Sequence, residues 1–201
     1  MNPKINITIL LIFLPFCNLF GNYSDYFPIR DGLKWIYLVK ENNKQFEQYV
    51  ICRESYSNNS HNYDFYFETN SIRKTKYFYK LKNDLVYLIK TEVNWKAFPV
   101  KFNLRYTPLF PVFSISKEID QWSWKGTISY FLFKKNIVVK FQIKGKEQVQ
   151  TKLGKLECIK ISAIIRINDN EEEYTAWYAK SIGLIKFLSP YQEKEIISFY
   201  R

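Results

Sequence analysis

The chain has 201 residues, 47% of them apolar and 19% aromatic, and carries a formal charge of +11. This length suits one domain or two very small ones. Alanine, the best helix former, occurs at only four positions, and together with the aromatic content this disfavours a helical bundle and excludes a disordered or collagen-like chain.

Residues 1–21 have the pattern of a secretory signal. Lys4 supplies the positive start, and an apolar run follows over residues 5–16, interrupted by Pro15. The run is too short for a stable membrane-spanning helix, which needs about 20 apolar residues. We therefore predict an exported protein (periplasmic, associated with the outer membrane, or secreted) with a single β domain over residues 22–201. Its charge falls to +10 when Lys4 is removed.

The end of this signal has two interpretations. Gly21 is a small residue suited to the position before a cleavage site. Alternatively, Leu14-Pro15-Phe16-Cys17 is similar to the lipobox of bacterial lipoproteins, in which the cysteine is acylated. Phe16 departs from that pattern, which has a small residue there. Cys17 is therefore a candidate lipidation site, and the alternative is a cysteine in a discarded signal.

Two cysteines, Cys52 and Cys158, remain in the mature chain. In an oxidising compartment they can form a disulfide bond. The alternative is a free buried thiol at each position. The sequence leaves both open, because it does not give the Cα separation on which a disulfide depends.

Short runs of β-branched and aromatic residues, separated by polar turn clusters, recur along the mature chain. The clearest run places Ile137, Val139, Phe141 and Ile143 on one face, with mostly polar residues between them. The predicted strands are 33–40, 46–53, 63–69, 76–82, 85–91, 137–144, 159–167, 173–179, 183–188 and 194–200. We predict an all-β, mainly antiparallel fold, a curled sheet, half-barrel or barrel of about 10–12 strands with at most a short helix.

The middle of the chain is less regular. Residues 106–115 contain Pro108 and Pro111, which argue against a central strand, so we predict an ordered apolar loop lying over the sheet. Residues 114–122 are the best candidate for a short helical turn.

Several chemistries are disfavoured by the residues present. The single histidine, His61, lies in a polar loop, and no orienting partner for a general base can be identified. One histidine and two separated cysteines form no zinc ligand set. Asp169-Asn170-Glu171 lacks the rest of a calcium-loop pattern. We predict no catalytic residue, no metal, no cofactor and no enzyme activity.

The positive charge has a second interpretation besides nucleic-acid binding. Residues 73–82 alternate basic and aromatic side chains, as single-strand binders do, but a half-exposed strand shows the same alternation. Lysine outnumbers arginine, the bidentate phosphate ligand. We therefore expect no nucleic-acid partner, and contact with anionic lipid headgroups fits an exported protein better.

Three passages carry a resemblance to a family. They are 26–37, with Gly32, Trp35 and Tyr37; 152–161, a turn and strand with Cys158; and 175–186, with Trp177 and Gly183. In this order they resemble a family of uncharacterised exported bacterial β-proteins that has no established activity. The resemblance implies that Gly32, Trp35, Tyr37, Trp177 and Gly183 close the sheet. The architecture is similar by analogy to the half-barrels of lipoprotein-localisation factors.

Two functional hypotheses follow. In the first, the concave aromatic face of the sheet binds a lipid or other apolar small molecule, and a continuous apolar cavity is expected. In the second, the core is closed, no ligand enters it, and the protein is a structural or interaction module that contacts an envelope protein or a membrane surface. No ligand-binding residue can be named from the sequence.

Overall fold

The computed structural model describes residues 23–54, 63–70, 73–95, 101–116 and 118–201. Within these ranges the one helix is a 3₁₀ turn, Tyr23–Tyr26, and it is far too short to cross a membrane. The strands are β1 Lys34–Glu41, β2 Lys44–Glu54, β3 Phe65–Asn70, β4 Arg73–Lys82, β5 Leu85–Trp95, β6 Lys101–Ser114, β7 Gln121–Tyr130, β8 Phe133–Thr151, β9 Gly154–Ile167, β10 Asn170–Ala179, β11 Gly183–Leu188 and β12 Gln192–Tyr200.

These strands form a closed antiparallel barrel. Each strand pairs with the next along the chain, and β1 pairs with β12. The amide of Ser181 donates to the Asp25 carbonyl oxygen at 2.6 Å, so the amino-terminal turn lies beside the β10–β11 connection. We call this the near end of the barrel, and the end that carries the β1–β2 and β7–β8 turns the far end. The predicted all-β fold of 10–12 strands with at most a short helix is confirmed.

Local sequence explains most of the hairpins. Asn42, Asn43, Asn83, Asp84 and Asn168 all have positive φ, which asparagine and aspartate tolerate better than other side chains. They turn the chain at the β1–β2, β4–β5 and β9–β10 hairpins. The predicted strands 76–82 and 85–91 fall within β4 and β5, which pair with each other through the turn at residues 83–84.

Alternation along the strands places the apolar face inside. Ile137, Val139 and Phe141 on β8 are buried, as are Ile161, Ala163 and Ile165 on β9, and the ladder pairs Val139 with Ile165 and Phe141 with Ala163. Their neighbours along each strand, such as Lys140 and Arg166, are exposed. The period of two in the sequence therefore identifies the core-facing side of both strands.

The predicted loop over 106–115 is wrong, because residues 106–114 belong to β6. Pro108 and Pro111 are accommodated because β6 pairs with β7 only over Arg105–Thr107, and its ladder to β5 shifts register twice. A proline is tolerated in a strand where its missing N–H is not required by a ladder.

Two tryptophans on β7 bridge the gap that the prolines leave. The Nε1 of Trp122 donates to the Pro111 carbonyl oxygen and that of Trp124 to the Pro108 carbonyl oxygen, both at 3.1 Å. These side-chain bonds join β6 to β7 where backbone pairing is absent. The helical turn predicted over 114–122 is also wrong: the described residues from 114 to 120 contain no helix, and β7 begins at Gln121.

Substituting Gly126 tests this junction. A Cβ at Gly126 would lie 2.3 Å from the Trp124 ring and 2.6 Å from the Thr107 carbonyl oxygen. We expect Gly126→Ala to lower the free energy of unfolding by about 1–3 kcal/mol, because the indole and the β6 backbone must both move. Ser123→Ala, an exposed site on the same strand, is the matched control. Equal urea midpoints for the two variants would contradict the close approach.

Candidate functional site

The five residues of the family-like motifs lie along the closing wall of the barrel. On β1, the Trp35 Nε1 donates to the Ile182 carbonyl oxygen at 2.7 Å and the Tyr37 hydroxyl to the Leu184 carbonyl oxygen at 2.9 Å. Both side chains are fully buried. These bonds reach from β1 past β12 to the start of β11.

Gly32 lies just before β1 and Gly183 begins β11, and both have positive φ, of 84° and 91°. Trp177 lies on β10, where its Nε1 donates to Glu147 on β8 and the Lys160 ammonium lies 5.3 Å from its ring centroid. The structure thus brings Trp35, Tyr37 and Gly183 together and places Trp177 farther around the wall.

Cys52 and Cys158 are buried free thiols in the structure. They lie on β2 and β9, which are five positions apart in the order of strands around the barrel. Cys52 pairs with the inward-facing Phe67, whereas Cys158 precedes the inward-facing Ile159, so the two thiols lie on opposite faces of the wall. Burial raises the pKa of each thiol to about 12.

The predicted signal, Cys17 and His61 lie outside the described residues.

The near half of the barrel interior is filled by aromatic side chains. Trp35, Phe65, Phe67 and Tyr79 pack ring against ring, with centroids 5.4–5.8 Å apart. All four are at most 1% exposed. A void large enough for a water molecule would leave accessible surface on the side chains that line it, so these rings pack without one.

The interior also contains polar side chains along one arc of the wall. Gln48, Thr69, Thr75, Thr91 and Lys194 are buried on β2, β3, β4, β5 and β12. Thr91 shares a hydrogen bond of 2.9 Å with the Tyr106 hydroxyl, whereas the Tyr178 hydroxyl on β10 has no hydrogen-bond partner among the described residues.

Lys194 is the most unusual member of this arc. It is 2% exposed, and its ammonium lies 5.2 Å from the centroid of the Tyr37 ring. Burial lowers the pKa of Lys194 to about 7, and the attraction of Glu41 offsets only part of that effect. A lysine with such a pKa is partly neutral near pH 7. Sequence reasoning missed this residue, because Lys194 stands between Glu193 and Glu195 and no local alternation of apolar and polar residues marks its inward side.

A second feature lies outside the barrel, at its far end. Four successive residues, Tyr130–Phe133, form the tip of the β7–β8 hairpin, and we call them the apolar finger. Phe131 and Leu132 are 88% and 85% exposed, and Phe133 is 52% exposed. The Tyr130 and Phe133 rings stack at 5.1 Å across the hairpin.

Basic residues surround the apolar finger. Lys134 and Lys135 follow it directly, and Lys101 and Arg105 on β6 line a groove of about 660 Å³ together with Phe102 and the finger. Sequence reasoning missed this site, although the signal was present: four consecutive large apolar residues precede two lysines at a turn that lacks glycine, proline, asparagine and aspartate.

Comparisons with known proteins give distant likenesses in structure alone. No protein-family model and no curated protein matches the chain. A candidate lipoprotein of Parabacteroides distasonis has a TM-score of 0.46 at 11% identity, covering 90% of this chain and 100% of its own. A candidate exported protein of Bacteroides fragilis with a YmcC-like fold has a TM-score of 0.44 at 14% identity, covering 94% of this chain and 99% of its own. The hypothetical lipoprotein YmcC of Escherichia coli has a TM-score of 0.44 at 13% identity, covering 92% of each chain. Likeness at this level carries no inference about what the chain does.

Replacing Lys194 tests its buried state. Because its pKa is about 7 in the folded chain against 10.5 ordinarily, the unfolded state binds the extra proton above pH 7, and stability rises with pH. Between pH 7 and 8.5 the gain is about 2 kcal/mol. We expect Lys194→Met to be more stable than the wild type at pH 6, with a difference that shrinks by pH 8.5.

Thermal unfolding at both pH values measures this difference. Lys34→Met, at an exposed position on β1, is the control and keeps the wild-type dependence on pH. A difference between Lys194→Met and wild type that is the same at pH 6 and 8.5 would show that Lys194 does not titrate in this range.

Proposed function

We propose that this chain is a non-catalytic, exported β-barrel of the cell envelope that acts through its outer surface as an interaction module. Of the two hypotheses from the sequence, this is the one with a closed core. The observation that carries it is the packing of the barrel interior by its own aromatic side chains.

That packing extends around the wall. The large side chains less than 2% exposed, together with Lys194 at 2%, are Trp35, Tyr37, Tyr77, Tyr79, Tyr178, Phe27, Phe65, Phe67, Phe110 and Phe113. The aromatic ones come from β1, β3, β4, β6 and β10 and from the amino-terminal segment, where Phe27 packs on Phe113 at 4.2 Å and on Tyr178 at 5.5 Å. The segment before β1 thus closes the near end, and a carrier of an apolar ligand would need this space open.

The electrostatics of the carboxylates support the non-catalytic part of the proposal. Burial alone would raise the pKa of Glu92, but its ion pairs with Lys90 and Lys101, each at 3.0 Å, outweigh burial and lower it. The pKa of Glu68 is lowered in the same way beside Lys74 and Lys76. A general acid at neutral pH needs the opposite shift.

One observation favours a second candidate function, the binding of a ligand with an anionic group inside the barrel. Lys194 and the Tyr178 hydroxyl, which lacks a partner within the described part of the chain, are polar groups directed into the interior. A bound carboxylate or phosphate would stabilise the charged lysine. This candidate requires the aromatic packing to open.

Native mass spectrometry of the exported, purified protein separates the two candidates. If the core is closed, we expect the mass of the polypeptide without a bound ligand. Peptide mapping identifies an acyl group at Cys17 separately. A stoichiometric, non-covalent lipid or other small molecule would overturn it in favour of the second candidate.

A cavity variant provides an independent test. Phe67 is fully buried against Trp35, Phe65 and Tyr79. We expect Phe67→Ala to lower the free energy of unfolding by about 3–5 kcal/mol. The new apolar space should bind xenon or benzene, which the wild type should not, because a filled interior has no site for them.

The control for this variant is Phe133→Ala, which removes the same side chain from an exposed position. It should unfold at nearly the wild-type denaturant concentration. Benzene binding to the wild type, detected by a ligand-dependent rise in melting temperature, would show that the interior is not filled.

A further inference from the structure

We propose that the apolar finger, Tyr130–Phe133, inserts into the surface of an anionic lipid bilayer while the basic residues beside it bind the headgroups. The proposal rests on the proposed function, since it names the partner of a barrel that acts through its outer surface. We argue it from the position of the hairpin beyond its backbone pairing, from the residues at its turn, and from the charges around it.

The finger extends beyond its backbone pairing to both neighbouring strands. The ladder between β8 and β9 begins at Val138 paired with Arg166, so the residues Phe133–Ile137 have no partner on β9. At about 3.3 Å per residue this is about 16 Å of hairpin past the end of that ladder. On the other side, β7 pairs with β6 no farther than Ser129. The tip therefore has no backbone pairing to either neighbouring strand, and Phe131 and Leu132 at its end are exposed to solvent.

The residues at this turn are not the ones that its backbone conformation favours. Phe131 has a φ of 51°, a conformation that bulky side chains rarely adopt. The other non-glycine residues with positive φ in the described part of the chain are Asn42, Asn43, Asn83, Asp84, Asn168 and Ser181. All of these are small and polar, so this chain elsewhere uses the side chains that such turns favour.

Phe131 and Leu132 also gain almost nothing from burial in the barrel, because each is more than four-fifths exposed. A strained backbone and two exposed apolar side chains both lower the stability and solubility of the isolated protein. Such a local conflict in an otherwise consistent sequence points to a role outside folding. Insertion into a bilayer supplies the burial that the fold does not.

The charge beside the finger matches an anionic surface. Lys134, Lys135 and Arg105 enter none of the ion pairs formed among the described residues, whereas Lys101 is paired with Glu92. These three cations flank the exposed aromatic tip and leave their charge available to a partner. Basic residues behind aromatic and aliphatic ones are the arrangement of interfacial membrane anchors.

The test uses the mature chain from residue 22, exported under a cleavable signal, so that an acyl group at Cys17 does not contribute. The barrel closes between β1 and β12 within this segment. Co-sedimentation is measured with vesicles of phosphatidylcholine containing about 30% phosphatidylglycerol, and with pure phosphatidylcholine. We expect binding to the anionic vesicles, weakened by salt, and much weaker binding to the neutral ones.

The finger variant is Phe131→Asn with Leu132→Ser. It should keep or raise the melting temperature, because both residues suit the turn, and lower vesicle affinity at least roughly tenfold. The matched control is Leu153→Asn, an exposed apolar residue of the β8–β9 turn at the near end of the barrel, 37% exposed. It should bind as the wild type does.

The charge variant is Lys134→Gln with Lys135→Gln, which should lower affinity for anionic vesicles about fivefold for each lysine and leave binding to neutral vesicles unchanged. Its control is Lys152→Gln with Lys155→Gln, two lysines of the β8–β9 turn at the near end. The same total charge is removed, so only position distinguishes the pair.

Insertion itself is measured with Leu132→Trp. Anionic vesicles should shift the emission of the introduced indole to shorter wavelength, and brominated lipids should quench it. The proposal is overturned if the wild type does not bind anionic vesicles, if the finger variant binds them equally, or if the introduced indole stays in water. None of these results would place a ligand inside the barrel, so the closed-core proposal is decided separately by native mass spectrometry.

Discussion

Closure of the sheet between β1 and β12 is the constraint on which the other features depend. It joins the first and last strands of the chain, and Trp35 and Tyr37 reinforce it by donating to carbonyl oxygens at the start of β11. A barrel removes the outer edges at which an open sheet would pair with another chain. It also encloses the inward side of every strand, so each large residue there must be packed against others.

Enclosure explains the contrast between the two surfaces of the wall. Inside, aromatic rings fill the space, and even a lysine, Lys194, is held with its ammonium near the Tyr37 ring. Outside, lysines form ion pairs with neighbouring glutamates, as Lys40 does with Glu193. Exposed pairs of this kind contribute little to stability. The fold is therefore stabilised mainly by its interior, which leaves the outer residues free to serve recognition.

The backbone pairing between β6 and β7 is short, and the two prolines of β6 limit it on the side toward the near end of the barrel. Because they interrupt the ladder to β7, the β7–β8 hairpin is attached on that side by three residue pairs and two tryptophan side chains. The ladder to β9 starts only at Val138. The finger lies on the opposite side of those three pairs from the prolines, beside the groove that Lys101 and Arg105 line, and its residues have no backbone pairing to β6 or β9.

The sequence by itself determined the fold class, the ten strands with clear alternation, and the turns at residues such as Asn42 and Asn83. These depend on a period of two and on backbone preferences, which are local properties. Only the tertiary structure decided that 106–114 belongs to a strand, that aromatic rings pack the near half of the interior, that Lys194 is buried, and that Phe131 is exposed. Each of these depends on which strand lies opposite or beside another. A local pattern shows which residues share a face of a strand. Closure of the barrel and the register of its strands decide whether that face packs against other side chains or lies in solvent.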